Sequence, residues 1–371
     1  MYICNTYQKI NKFKRFIIKE NPDFYIYTVF NIKQLTITIR NNMNNLKKIG
    51  LTALAGSLVA TAVSASELTA SGSASIGFGG ADKGTSANTW YMNDSVTFSG
   101  SGELDNGFNV TLSLELDNNE NVGTSAMDSR SVTVDMADMG TIKFGGHGLD
   151  SVVGGVDDVM PTAYGETWDI ISNAVDNGGV TSALSTLFGA IGSAGSNNMM
   201  RYDNTTAVDG LKISASYVPS GTGEVESSVD YGLEYTGYEG LTVGYAMGEN
   251  NAAGGTSNTD NDTMYVKYAY GSVTVGYQSS EIDAATATDT DEWDAFGITY
   301  AVSDDISIGY AESTYNAGSS TTDQENSNLS ISYTSGGMTL AAGFAEELNR
   351  GGLTTAVNDV KGYDISLAFA F

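Results

Sequence analysis

Few side chains in this sequence could make or break a covalent bond. His147 is the only histidine and Cys4 the only cysteine. A catalytic nucleophile needs a base within hydrogen-bonding reach and a third group to orient that base. A lone histidine following "FGG", at the mouth of a long polar stretch, has no such company and reads as a polar loop residue. One cysteine excludes a disulfide framework or thiolate metal site, and one histidine excludes a histidine cluster. What remains is charge. The acidic runs "SNTDNDT" (257–263) and "ATDTDEWD" (287–294) could hold divalent cations weakly. Neither has the glycine or the spacing of a calcium loop, so solvated acidic loops without cofactor or metal site are expected.

The formal net charge of −27 is unevenly spread. Residues 1–65 hold nine of the seventeen lysines and arginines and only Glu20 and Asp23 as acids, which leaves 8 bases and 42 acids, a net of −34, on the other 306 residues. So acidic a body argues against a nucleic-acid partner. Within the basic part, "MNNLKKIGLTALAGSLVATAVSASE" (43–67) has Lys47 and Lys48, an uncharged run over 49–63, and small residues at 63 and 65. That order reads as a secretory signal spanning 43–65 and cut after Ala65. Residues 1–42 precede a complete signal, so Met43 is the expected start and 1–42 a mis-called extension. After Ala65 no run of eighteen apolar residues occurs, so no helix is expected to cross a membrane.

The elements that must carry the charges are strands. With 44 Gly, 21 Tyr and only 3 Pro, the composition suits short strands joined by turns. In "VTFSGSGELDNGFNVTLSLEL" (96–116), Val96, Phe98 and Leu104 share a face with Phe108, Val110, Leu112, Leu114 and Leu116, and Asp105, Asn106 and Gly107 reverse the chain. The pattern recurs, tight turns alternating with longer polar loops, and predicts sixteen strands between 67 and 371. The longest loop, 147–196, is the third. Each strand has one apolar face, such as Leu241, Val243, Tyr245 and Met247, and one face of Ser, Thr, Gly or charge.

Alternation alone fits either a sandwich or a barrel. Tyr and Trp near strand ends (Trp90, Tyr91, Tyr202, Tyr217, Tyr235, Tyr270, Trp293, Tyr315, Tyr363) suggest the aromatic girdles of a membrane barrel. An even strand count suits closure, because a closed barrel alone satisfies every strand backbone group in lipid. The expected fold is all-β: a sixteen-stranded antiparallel transmembrane barrel over 66–371, wide enough for an aqueous lumen. By strand parity, Lys143, Arg201, Lys212 and Lys267 point inward with Glu115, Asp135 and Asp203, whereas Arg130 shares the parity of Val132 and Val134 and belongs to a rim. The last nine residues, "YDISLAFAF", place Tyr363, Ile365, Leu367, Phe369 and Phe371 toward lipid and Asp364 toward the lumen. They pair with the first strand to close the barrel.

From Ala65 to Phe371 the chain resembles the general diffusion porins of Gram-negative outer membranes. The likeness is carried by the signal, the opening "ELTASGSASIGFG", the hairpins "GELDNGFNVTLSLE" and "VTVDMADMGTIKFGG", "MMRYDN" after the longest loop, and the terminal Phe371. It implies an outer-membrane homotrimer in lipid, a third loop folded into the lumen, and acids on that loop facing bases on the wall. Asp150, Asp157, Asp158, Glu166, Asp169 and Asp176 are then the candidate constriction acids. The family's dense arginine cluster is thinned here. A terminal phenylalanine also implies recognition by the outer-membrane insertion machinery, with Tyr363, Phe369 and Phe371 serving closure and assembly. A passive pore for small hydrophilic solutes and ions, cation-preferring because of the acid excess, is the functional expectation. A substrate-specific channel and a non-conducting surface barrel are the alternatives.

Overall fold

The computed structural model describes residues 68–82, 88–117, 127–166, 170–171, 197–219, 227–251, 259–284, 290–318, 320–354 and 359–371. The expected extension, signal and cleavage point lie outside these residues, as do Asp169 and Asp176.

Sixteen strands follow one another along the chain: β1 (Leu68–Ala81), β2 (Thr89–Glu103), β3 (Asn109–Asp117), β4 (Met127–Asp135), β5 (Thr141–His147), β6 (Met199–Val208), β7 (Leu211–Val218), β8 (Ser228–Tyr238), β9 (Leu241–Asn250), β10 (Thr259–Tyr270), β11 (Val273–Ala284), β12 (Asp291–Ala301), β13 (Ile306–Asn316), β14 (Gln324–Ser335), β15 (Met338–Leu348) and β16 (Val360–Ala370). Every strand pairs antiparallel with its sequence neighbours, and β1 pairs with β16, so the sheet is a closed barrel without an edge.

The first hairpin shows how local chemistry sets the register. Gly107 has φ +81°, which an L side chain rarely adopts, and Asn106 Oδ1 accepts the Phe108 amide at 3.1 Å. Val96 then faces Leu116, and Phe98 faces Leu114. At the seam, Ile365 faces Phe78, and Gly72 and Phe371 exchange both backbone hydrogen bonds, at 2.8 and 3.0 Å.

One face of every strand is turned outward and apolar. Ile76, Leu112, Phe144, Leu233, Val243, Met264, Tyr277, Leu329, Phe344 and Ile365 are all exposed. The buried hydrophobic clusters lie on the other side, where Val152, Val153 and Met160 meet Ala246, Tyr265, Trp293, Ala295 and Tyr315, and where Ile170 and Ile171 meet Ala345 and Val360. The core is thus the inner wall packed against the long third loop.

Two expectations need correction. Tyr91, Trp293 and Tyr315 are not girdle residues: the Tyr91 hydroxyl donates to Asp364, and Trp293 and Tyr315 are buried on the inner face. Trp90 is the outward residue of its pair, since adjacent strand positions take opposite faces. The acidic runs are also not wholly loop. β10 starts at Thr259, ahead of the expected 262, so Asp260 belongs to a strand together with Asp262, and β12 spans the expected 291–301 with Glu292 and Asp294 in it. Asp262 pairs with Met247 on the outward parity.

Candidate functional site

The third loop enters beside His147, whose Nδ1 lies 2.5 Å from Asn197 Oδ1. Leu149 packs on Met199 where Gly145 leaves room for it. From there residues 150–166 run along the inner wall, held by polar side chains projecting from one strand after another.

Arg201 on β6 makes the first hold. Its Nη1 donates to the carbonyls of Asp150 and Ser151 at 3.1 and 3.0 Å, and its Nε donates to Asp203 Oδ2 at 2.9 Å. Asp203 also accepts the Ser214 hydroxyl at 2.6 Å and lies 3.8 Å from Lys212 Nζ. One carboxylate therefore serves two cations. On β7 and β8, Ser216 Oγ accepts the Val152 amide at 3.0 Å, and the fully buried Asp230 accepts the Val153 amide at 3.1 Å.

Gln278 on β11 makes the central hold. Its amide donates to the carbonyls of Val156 and Asp157 at 2.8 and 3.0 Å and accepts the Val159 amide at 2.9 Å. Farther on, Ser330 accepts the Ala163 amide at 3.2 Å, Asn328 donates to the Glu166 carbonyl at 3.1 Å, and the Tyr164 hydroxyl donates to Asp364. Asp364 is buried on β16 and also receives Tyr91 from β2 at 2.6 Å, so one carboxylate ties the loop to both sides of the seam. Burial first, and then the hydrogen bond to Asp364, hold the Tyr164 hydroxyl well above the usual tyrosine range, so it stays a neutral donor.

The structure sorts the charged residues chosen from the sequence. Lys143 sits directly across from Arg201 in the β5–β6 ladder, and Lys212 across from Glu234. Lys267 places its Nζ 5.8 Å from the centre of the Tyr265 ring, and that tyrosine donates to Glu234 at 2.6 Å. Glu115 accepts the Ser129 hydroxyl across β3 and β4 at 3.0 Å. Asp135 is at the tight-turn end of β4, where it caps the turn by accepting the Ala137 amide at 2.9 Å. Asp157 and Asp158 cap turns of the loop itself, accepting the amides of Asp158 and Met160 at 2.9 and 2.7 Å. Arg130 is exposed and pairs with Leu114 on the outward parity. Ser216, Asp230, Gln278, Asn328 and Ser330, which make most of the described bonds between the wall strands and the loop's backbone, stand out by neither charge pattern nor motif. Their inward parity is the one signal they share. Among the described residues no set of three acidic, histidine or cysteine side chains gathers round a metal-sized point.

A closed barrel that is apolar outside and polar inside, with a loop bound along its inner wall, defines an aqueous channel through a lipid layer. The chain belongs to the Gram-negative porin family, whose sequence model matches residues 50–353, and it is accordingly an outer-membrane porin. No curated protein sequence matches it. Solved structures with the same fold include an anion-selective porin from Comamonas acidovorans (TM-score 0.63, 13% identity, covering 83% of this chain and 100% of that one). Others are OmpT, an outer membrane protein of Vibrio cholerae in its trimer form (TM-score 0.59, 13% identity, 83% and 100% covered), and a mutant of the Rh. blastica porin (TM-score 0.59, 12% identity, 82% and 100% covered).

Proposed function

We propose that this porin is a water-filled channel for passive diffusion of small hydrophilic solutes and ions, that it prefers cations, and that it assembles as a homotrimer. The observation that carries the cation preference is the pairing at Asp203. Two of the inward bases, Arg201 and Lys212, share that acid, and Arg201 is further engaged by loop carbonyls. Two positive charges on the wall thereby count as one net charge, while residues 66–371 hold 42 acids against 8 bases. Mobile ions screen fixed charge over roughly 8 to 10 Å at ordinary ionic strength, so a constriction of similar width keeps the sign of its wall potential. The Comamonas porin is anion-selective on the same fold, so the fold leaves that sign to local charge. Reversal potentials of reconstituted channels in a potassium chloride gradient test the reading: the cation-selective sign supports it and the anion-selective sign overturns it.

Assembly as a trimer takes its support from OmpT, described in a trimer form. Cross-linking of detergent-extracted protein should stop at three copies. The same reading places export by the 43–65 signal with cleavage after Ala65, which N-terminal sequencing of the exported chain would check by finding Ser66 first.

A further inference from the structure

Five inward-facing glycines lie under the third loop, on five different strands. An ideal Cβ on Gly232 of β8 would stand 2.5 Å from Val152 Cγ1, and one on Gly276 of β11 would stand 2.7 Å from Pro161 Cδ. On Gly297 of β12 it would meet the Pro161 carbonyl oxygen at 2.7 Å, and on Gly309 of β13 the Ala163 nitrogen at 2.7 Å. On Gly343 of β15 it would overlap the side chain of Ile170.

None of the five has a positive φ. Their backbone is ordinary strand that any residue adopts, and a glycine inside a strand weakens it unless another group must approach closely. Here the approaching group is visible at every position, and it is always the same loop. The loop's amides bond to the polar residues between these glycines, Gln278 and Ser330 among them. We propose that these glycines form a recessed seat that sets how far the loop stands out from the wall, and hence the bore of the channel. This rests on the channel reading above and deepens it by naming the residues that fix the constriction.

The physical consequence is directional. The wall strands are hydrogen-bonded on both sides in a closed sheet, whereas the loop is held by isolated side-chain bonds, so an added methyl moves the loop and leaves the wall in place. At Gly297 and Gly309 the opposing atoms are loop backbone, which cannot rotate away as a side chain can. The loop is displaced toward the lumen, and the aperture narrows.

Single-channel recording of Gly276→Ala, Gly297→Ala and Gly309→Ala in planar bilayers tests this, with Gly100→Ala, where a Cβ meets nothing within 4 Å, as the control. We expect lower conductance in each seat variant, a further fall in the Gly297→Ala, Gly309→Ala double variant, and wild-type conductance in the control. Because Gly276 faces the proline ring, adding Pro161→Ala to Gly276→Ala should return conductance toward that of Pro161→Ala alone. The same pairing should rescue assembly if Gly276→Ala alone fails to fold. Unchanged conductance in the seat variants, an equal fall in the control, or no effect of Pro161→Ala on Gly276→Ala overturns the seat. Absence of conductance from folded wild-type protein would instead overturn the channel reading itself.

Discussion

Arg201 and Asp150 are joined through the main chain of the loop: the guanidinium of the wall residue donates to the carbonyl of the loop residue at 3.1 Å, while the Asp150 side chain is exposed. Arg201 is therefore a clamp on the third loop as much as a charge on the inner wall. Its planar fork reaches Asp203 and two successive loop carbonyls at once, a geometry that the point charge of lysine cannot reproduce. Arg201→Ala removes hydrogen bonds from a charged donor, each of a class contributing about 1.5–3 kcal/mol, and leaves Asp203 with Lys212 as its ion-pair partner among the described residues. We expect noisier open channels and a stronger cation preference, with only partial recovery in Arg201→Lys. Quiet recordings and unchanged reversal potential in Arg201→Ala would contradict the clamp.

The far end of the loop is held by Asp364, which receives Tyr164 from the loop and Tyr91 from the wall. Tyr164→Phe removes one donor and leaves the seam intact, so it should loosen the loop and raise current noise without lowering the temperature at which the barrel unfolds. Asp364→Ala leaves two hydroxyls without their acceptor, at about 1–3 kcal/mol for each buried one. It should therefore lower the midpoint of heat-induced mobility change on gels as well. Equal thermal midpoints for the two variants would show that Asp364 has no role in the seam.

At the seam itself, Phe371 exchanges two backbone hydrogen bonds with Gly72, and a Cβ on Gly72 would stand 2.8 Å from the Phe371 ring. Unpaired strand groups in hydrocarbon cost several kcal/mol each. Deletion of 360–371 should therefore abolish assembly, and Phe371→Asp, which sets a charge at an outward position, should reduce it severely. Heat-resistant, folded protein at wild-type levels from either variant would refute this.

Strand parity was the most legible feature of the sequence, because a period of two is enforced at every position of a closed sheet. It placed Lys143, Arg201 and Lys212 on the inner wall and Ile365 and Phe369 on the outer one. Proximity to a strand end carried less information: Tyr91 and Trp90 are neighbours, yet one faces Asp364 and the other is exposed. Polarity misleads where strands continue past the apolar belt, so that Asp260 reads as loop although it is paired in the ladder. What each inward base touches was illegible. Arg201 looks the same in the sequence whether it faces water or holds two carbonyls, and Gly297 looks the same whether it sits under a loop or under solvent. Those distinctions depend on where a loop some fifty residues long, 147–196, returns to the wall.

Selectivity should depend on salt in a way that separates fixed charge from sieving. The screening length falls from about 10 Å at 0.1 M to about 3 Å at 1 M. At the lower concentration the potentials of Lys143, Lys212, Asp203 and the loop acids overlap across a narrow aperture. At the higher one each charge is confined to its own neighbourhood. Arg201 and Lys212 share Asp203 and leave one net positive charge between them, so the surplus of carboxylates dominates where screening is weak. Reversal potentials measured at a constant concentration ratio, with absolute concentrations stepped between these limits, should show a cation preference that declines toward the free-solution mobility ratio. A preference that stays constant across the series would mean that aperture size and not wall charge selects the ion, and would leave the Asp203 pairing without a role in selectivity.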